Sequence, residues 1–311
     1  MKKMYFTYPS NDGQTEIHGI CWEPECEVKA VLQIAHGMVE FIDRYDEFAR
    51  FLAEKGVLVA GNDHLGHGAS VRSEEYWGYF AKKDGNTVLL KDMNRLRKIV
   101  QKRYPHVPYF MLGHSMGSFL MRQYICVYGE GLAGTIIMGT GYQPAAMTAM
   151  GMQVCKVLAA VKGWHHRSAL VDGMAFGSYN KKFGKPTGKE WLSRNPENVQ
   201  KYVKEKRCNF RFTLNGYYNL FYSIHALSNP EYLEGMPKEL PVFFVAGEED
   251  PVGQFGKGVE MVFEQFIDLG MEDVECKLYA EDRHEILNEL DREDVYQDIY
   301  EWISRVLAEE C

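Results

Sequence analysis

No stretch of this 311-residue chain approaches the roughly 20 apolar residues that a membrane-spanning helix needs, so no integral membrane segment is expected. Positive charge is not in excess either. The chain has 35 lysines and arginines against 43 aspartates and glutamates, a formal net charge of −8. A nucleic-acid partner would want a basic face, and docking on anionic lipid by charge alone is disfavoured for the same reason. Cysteines are scattered: Cys21, Cys26, Cys126, Cys155, Cys208, Cys276 and Cys311 form an odd set without a C-x-x-C pair. The opening "MKKMYFTYPS" holds no apolar run long enough for the centre of a signal peptide. Reduced thiols in the cytoplasm are therefore the default expectation. Repeats, low-complexity tracts and like-charge tails are also missing. What remains is 46% hydrophobic and 25% charged, ordinary for a globular protein. The length suits one large α/β domain or a domain carrying an insertion.

Short β-like runs recur along the chain. "MYFTYP" and "EIHGICWE" flank the turn-rich "SNDGQT" and read as an antiparallel hairpin. Then come "AVLQIA" (30–35), "VLVAGND" (57–63), "PYFMLG" (108–113), "LAGTIIMG" (132–139), "PVFFVAG" (241–247) and "VECKLYA" (274–280). These later runs are apolar throughout, the pattern of parallel strands covered on both faces. Helical spacing of apolar residues marks 43–56, 86–104 and 292–310, with Gly56 as a C-terminal cap. Strand and helix alternate, so a mostly parallel sheet wrapped by helices is expected. Between Gly139 and Pro241 lie about a hundred residues without a convincing strand, too long for a plain loop. That interval reads as a helical cap inserted over the carboxyl edge of the sheet. The expected division is a core of 1–140 and 231–311 with a cap at 141–230.

"YFMLGHSMGSFL" (109–120) places Ser115 in a G-x-S-x-G frame between a strand and a helix-compatible segment. A serine hydroxyl attacks only when a base takes its proton and a third group orients that base. The α/β-hydrolase arrangement demands the chain order nucleophile, acid, histidine. "PVFFVAGEED" supplies Glu248, Glu249 and Asp250 after a later strand; the turn-forming "DPVG" favours Asp250, and geometry alone leaves Glu249 open. His284, in "AEDRHEIL", completes the order, because no other histidine follows the acid. The oxyanion needs two N–H donors. Met116 follows the nucleophile, and Met38 lies in the "HGMVEF" loop after an early strand.

Together "HGMVEFIDRYDEFARFLAEKG", "GNDHLGHGAS", "GHSMGS", "VAGEEDPVGQFGKG" and "EDRHEILNE" resemble the monoglyceride lipase and lysophospholipase group of the α/β-hydrolases. The likeness runs from about residue 29 to the end. It implies an eight-stranded, mostly parallel α/β sheet with a helical cap inserted after strand 6. It also implies a triad of Ser115, Asp250 and His284 with oxyanion donors at Met38 and Met116. Phe41 stands where many relatives have histidine, and Ser118 replaces a common glycine after the elbow.

Asp63, His64 and His67 could be read as metal ligands, but the surrounding glycines favour a hydrogen-bonded loop, and no metal or cofactor is expected. In "AAMTAMGMQVCKVLAAVKG" (145–163), Met147, Met150, Val154, Val157 and Val161 recur at steps of three and four and form one helical face. That face reads either as cap packing or as the wall of an acyl tunnel, with Met147, Met150 and Val154 as candidate substrate contacts. The aromatic cluster from Phe210 to Tyr222 reads as cap core. Hydrolysis of a small lipid-like ester is the favoured function. The sequence expects no nucleic-acid partner, and contact with a membrane surface only transiently through the cap. A serine aminopeptidase and a non-hydrolysing receptor on the same fold are the competing readings. The oligomeric state is not legible.

Overall fold

The computed structural model describes residues 1–184 and 186–309; Cys311 lies outside the described residues. Eight strands form one sheet: β1 (Lys2–Pro9), β2 (Glu16–Glu23), β3 (Ala30–Ala35), β4 (Val57–Asn62), β5 (Tyr109–His114), β6 (Gly134–Met138), β7 (Val242–Gly247) and β8 (Val274–Tyr279). Their order is β1-β2-β4-β3-β5-β6-β7-β8. β1 and β2 pair antiparallel, β2 joins β4 antiparallel, and every later pairing is parallel. This is the mostly parallel eight-stranded α/β sheet that the sequence leads one to expect.

The apolar runs are buried along their whole length in β3 to β7, because each contributes to both faces. Met111 and Ile137 face a layer built on α2 (Gly85–Arg103) and α3 (Met116–Tyr128). Phe110, Leu112 and Ile136 face one built on α1 (Asp46–Glu54) and α10 (Arg292–Glu309). The helix expected over 43–56 begins as a 3-10 turn at Ile42–Tyr45 before α1 starts, and Gly56 sits at φ +90° beyond its end. One strand departs from expectation. β8 alternates, with Glu275 and Lys277 exposed, because it is the sheet edge and only one face is fully covered.

Between β6 and β7 the chain forms α4 (Ala145–Lys162), α5 (Ala169–Phe176), α6 (Pro196–Lys204), α7 (Leu214–Ala226) and α8 (Pro230–Leu233), with no strand among the described residues. α8 straddles the expected boundary at 230/231. The chain then returns through β7 and α9 (Lys257–Asp268). The expected inward face of α4 is not the buried one. Thr148, Gly151, Cys155 and Ala159 are buried, whereas Met147 is 56% and Val161 83% exposed. Small side chains let α4 lie close on α7: a Cβ at Gly151 would sit 2.8 Å from the Phe221 ring. The sequence pattern misled because both sides of α4 lack charge, and packing selected the smaller residues.

Residues 190–198 are fastened to the loop carrying His284. Glu285 N donates to Leu192 O at 2.8 Å, and Arg283 Nη1 to Glu190 O at 2.8 Å. Ser193 Oγ donates to Glu289 at 2.9 Å, and Arg194 Nη2 to Asp282 at 2.8 Å. Burial, opposed by Arg194 but reinforced by Glu289 and Asp291, pushes the Asp282 carboxyl up to about 7.

Candidate active site

Ser115 stands at the end of β5 with φ 54° and ψ −117°, a conformation an L-residue rarely adopts and one that stores strain. The flanking glycines make the turn possible. A Cβ at Gly117 would lie 2.0 Å from Ala35 O, and one at Gly113 2.4 Å from Gly117 O. Ser118, buried, donates its hydroxyl to Ser115 O at 2.6 Å and helps hold the elbow. Ser115 itself is half-buried and opens on a cavity of about 310 Å³, shared with Met38, Met116 and His284.

His284 and Asp250 are both buried, and His284 Nδ1 donates to Asp250 Oδ2 at 2.8 Å. Asp250 Oδ1 accepts from Val252 N at 2.8 Å, which fixes the carboxylate. Glu249 takes another course: half-exposed, it sits 3.6 Å from Arg283. Of the two acids, Asp250 is the one placed against the imidazole.

The loop bearing Met38 is held by a residue that the motif reading passed over. Glu40 accepts from Gly37 N at 2.5 Å, from Tyr45 at 3.0 Å and from His114 Nδ1 at 3.0 Å. Val39, at φ +57°, keeps this turn strained, and its carbonyl accepts from the Tyr202 hydroxyl at 3.0 Å. His114 Nε2 donates to the carbonyl of His284 at 3.1 Å, so both ring nitrogens face acceptors. Burial alone would lower the His114 pKa, but the hydrogen bond and charge of Glu40 outweigh it and raise it. Burial likewise opposes the Glu40 charge, yet His114 and Arg44 hold its carboxyl well below the usual range.

The network continues. Arg44 contacts Glu40 at 3.0 Å and grips Glu285 with two bonds of 2.7 Å, and Asn198 donates to Glu285 at 2.7 Å. A chain of buried charge thus joins the Met38 loop, the elbow histidine and the residue after His284. From the inserted helices, Trp191 places its ring 5.1 Å from that of His284. Glu40, Arg44, Glu285 and Trp191 were missed as site residues. The glutamate of H-G-M-V-E, four positions before Arg44, was the available signal.

Of the candidate substrate contacts, Met147 and Met150 line the cavity. Val154 does not; half-buried, it packs against the apolar core instead. Phe41 is buried beside Leu192, Tyr202 and Cys208, with the Arg207 guanidinium 3.7 Å over its ring.

Asp63 accepts from Ile42 N and Ala69 N, each at 2.8 Å, and His64 N donates to His36 Nε2 at 2.9 Å. No group of three His, Cys, Asp or Glu among the described residues is placed to hold a metal ion. The His36, His64 and His67 rings pack against one another, all buried. Burial depresses all three: His36 lies well below its ordinary value, His64 falls to about 4 and His67 to about 3. The unfolded chain therefore binds more protons below pH 6.5, and stability is lost as pH falls from there toward 3. At about 1.4 kcal/mol per unit, His64 alone weakens the fold by roughly 3 kcal/mol at pH 4. Melting temperatures at pH 7 and pH 4.5 should show this drop. His67→Phe, which can pack with Phe80 and Phe212, should narrow it; an unchanged drop would clear His67.

A family model described as "Serine aminopeptidase, S33" matches residues 26–291. Monoglyceride lipase of Rattus norvegicus is 40% identical over 96 residues, 31% of this chain and 30% of that protein. The monoglyceride lipase homolog of Monkeypox virus is 29% identical over 147 residues, so the chain spans at most about half of these relatives. Monoacylglycerol lipase of Mycolicibacterium smegmatis aligns over 286 residues at 25% identity, 91% of this chain and 90% of that one. The solved structure of a thermostable carboxyl esterase from Bacillus coagulans, in complex with glycerol, superposes with a TM-score of 0.91. It is 30% identical and covers 99% of both chains.

Proposed function

The chain belongs to the serine aminopeptidase S33 family of α/β-hydrolases, and from that premise we propose that it hydrolyses carboxylic esters of lipid-like substrates, monoacylglycerols or lysophospholipids. The buried 2.8 Å pair of His284 and Asp250, with His284 lining the cavity that Ser115 opens on, carries this reading. His284 Nε2 takes the proton of Ser115 Oγ as the oxygen attacks the ester carbonyl, while Asp250 holds the ring in the required tautomer. The N–H groups of Met38 and Met116 receive the oxyanion. Collapse breaks the ester bond, and the imidazolium returns its proton to the departing alcohol. Water, deprotonated by the same imidazole, then releases the acid from the acyl-enzyme. Residues 141–230 act as a cap over the core of 1–140 and 231–311.

The cavity supports esters over amino-terminal peptides. Its carboxylates are already engaged: Glu40 and Glu285 by Arg44, Asp172 by Tyr217 and Arg211. None is left to hold a substrate ammonium. No helix among the described residues is long and apolar enough to cross a membrane. The exposed Met147, Val157 and Val161 support transient contact of the cap with a lipid surface by a cytoplasmic protein.

Esters of graded chain length test the proposal beside amino-acid anilides. Each buried methylene contributes about 0.8 kcal/mol, so dodecanoyl esters should outcompete acetyl esters. Met150→Asp should depress kcat/KM for the dodecanoyl ester far more than for the acetyl ester. Val154→Asp, outside the cavity, should not discriminate. Turnover of anilides but not esters would favour the peptidase, and tight binding without turnover the receptor.

A further inference from the structure

We propose that Lys189 makes the alcohol side of this cavity a site for an anionic group, so that the preferred ester carries a phosphate on its alcohol. The inference rests on the ester-hydrolase reading of the same cavity.

Lys189 lines the cavity together with Trp191, Tyr202, His284 and Glu285. Its place in the chain points to the part of a substrate it meets. Trp191, two residues on, packs its ring against His284, the group that protonates the departing alcohol. A cation here meets the alcohol's substituent. The acyl chain is left to the apolar wall of Met147, Met150, Phe221 and Ile224.

Among the described residues the Lys189 ammonium makes no hydrogen bond and no ion pair; it stands 5.9 Å from the centre of the Tyr202 ring. The carboxylates that could have neutralised it are taken. Glu285 is held by two bonds from Arg44 and one from Asn198, and Asp172 by Tyr217 and Arg211. Burial lowers the Lys189 pKa, with Asp172, Cys208 and Glu285 opposing from a distance. A cation partly withdrawn from water without a hydrogen-bonded counterion is unfavourable, and an incoming anion would relieve it. In a site meant for a plain glycerol ester, an unpaired ammonium would serve nothing. With a phosphate on the alcohol it makes a charge-assisted hydrogen bond. The same positive charge repels the amino terminus of a peptide.

The test compares 1-dodecanoylglycerol with 1-dodecanoylglycerol 3-phosphate, both as monomers in solution. The wild-type protein should favour the phosphate by about ten- to a hundredfold in kcat/KM, the range of one charge-assisted hydrogen bond. Lys189→Met should erase most of that preference while the neutral ester falls far less, and Lys189→Arg should keep part of it. Glycerol 3-phosphate should compete with p-nitrophenyl ester hydrolysis in the wild type, and about tenfold less well in Lys189→Met. Lys189→Gln serves the same comparison if the methionine variant does not fold. A wild-type preference for the neutral ester would overturn the proposal, as would equal losses on both esters, which would make Lys189 a strut for Tyr202. Protein active on p-nitrophenyl esters but on neither glycerol ester overturns this inference alone. Protein inert to every ester overturns the ester-hydrolase reading beneath it.

Discussion

Ser115→Ala and His284→Ala should each lower kcat/KM for any ester substrate by about four to six orders of magnitude, with the melting temperature nearly unchanged. Members of a triad act as a unit, so the double variant should be little worse than either single one. Asp250→Asn should cost on the order of 10⁴, because the amide holds the wrong tautomer of the imidazole. Glu249→Gln should be mild, since that carboxylate is half-exposed and faces Arg283 at 3.6 Å. A phosphonate directed at activated serines should label Ser115 and no other residue. Label on another serine, or a crippling effect at Glu249 with Asp250→Asn harmless, would dismantle the assignment.

Arg44→Leu should be the most destabilising of the single changes considered around the site. It leaves Glu40 and Glu285, both buried, without their shared guanidinium, and breaking a buried charge network in this way typically costs about 3–5 kcal/mol. At a few degrees per kcal/mol for a chain of this size, the melting temperature should fall by roughly 10 °C. Adding Glu285→Gln removes one orphaned charge, so the double variant should recover part of the loss; simple additivity would mean the residues are not coupled. Activity should fall too, because Glu40 shapes the Met38 loop and Glu285 adjoins His284.

The legible parts of the molecule were those written locally. G-H-S-M-G announced a strand, a turn and a helix, and continuous apolar runs marked β3 to β7. Chain order pointed to His284 because no other histidine follows the acid. Burial of charge was not legible, since Glu40, Arg44 and Glu285 look like ordinary surface residues until 241 positions of chain close the Arg44–Glu285 pair. The choice between Asp250 and Glu249 was half legible, needing the Val252 amide to show which carboxylate turns inward. The inner side of α4 was misread because its packing surface is made of Gly151, Cys155 and Ala159, residues that carry little weight in a hydrophobic pattern. Trp191 and Lys189 lie in a stretch with no periodicity, and only the folded chain sets Trp191 beside His284 and Lys189 in the same cavity.

The fastening of 190–198 to the histidine loop limits how this protein can be rebuilt. A graft that exchanged everything between β6 and β7 for the equivalent piece of another hydrolase would export Ser193, Arg194 and Asn198. It would leave behind the buried carboxylates of Glu289, Asp282 and Glu285 that those residues serve. The interchangeable portion is therefore smaller than the insertion. α4 and α5 carry none of these bonds and are the part open to exchange, whereas the segment around Arg194 has to travel with the loop of His284 as one part.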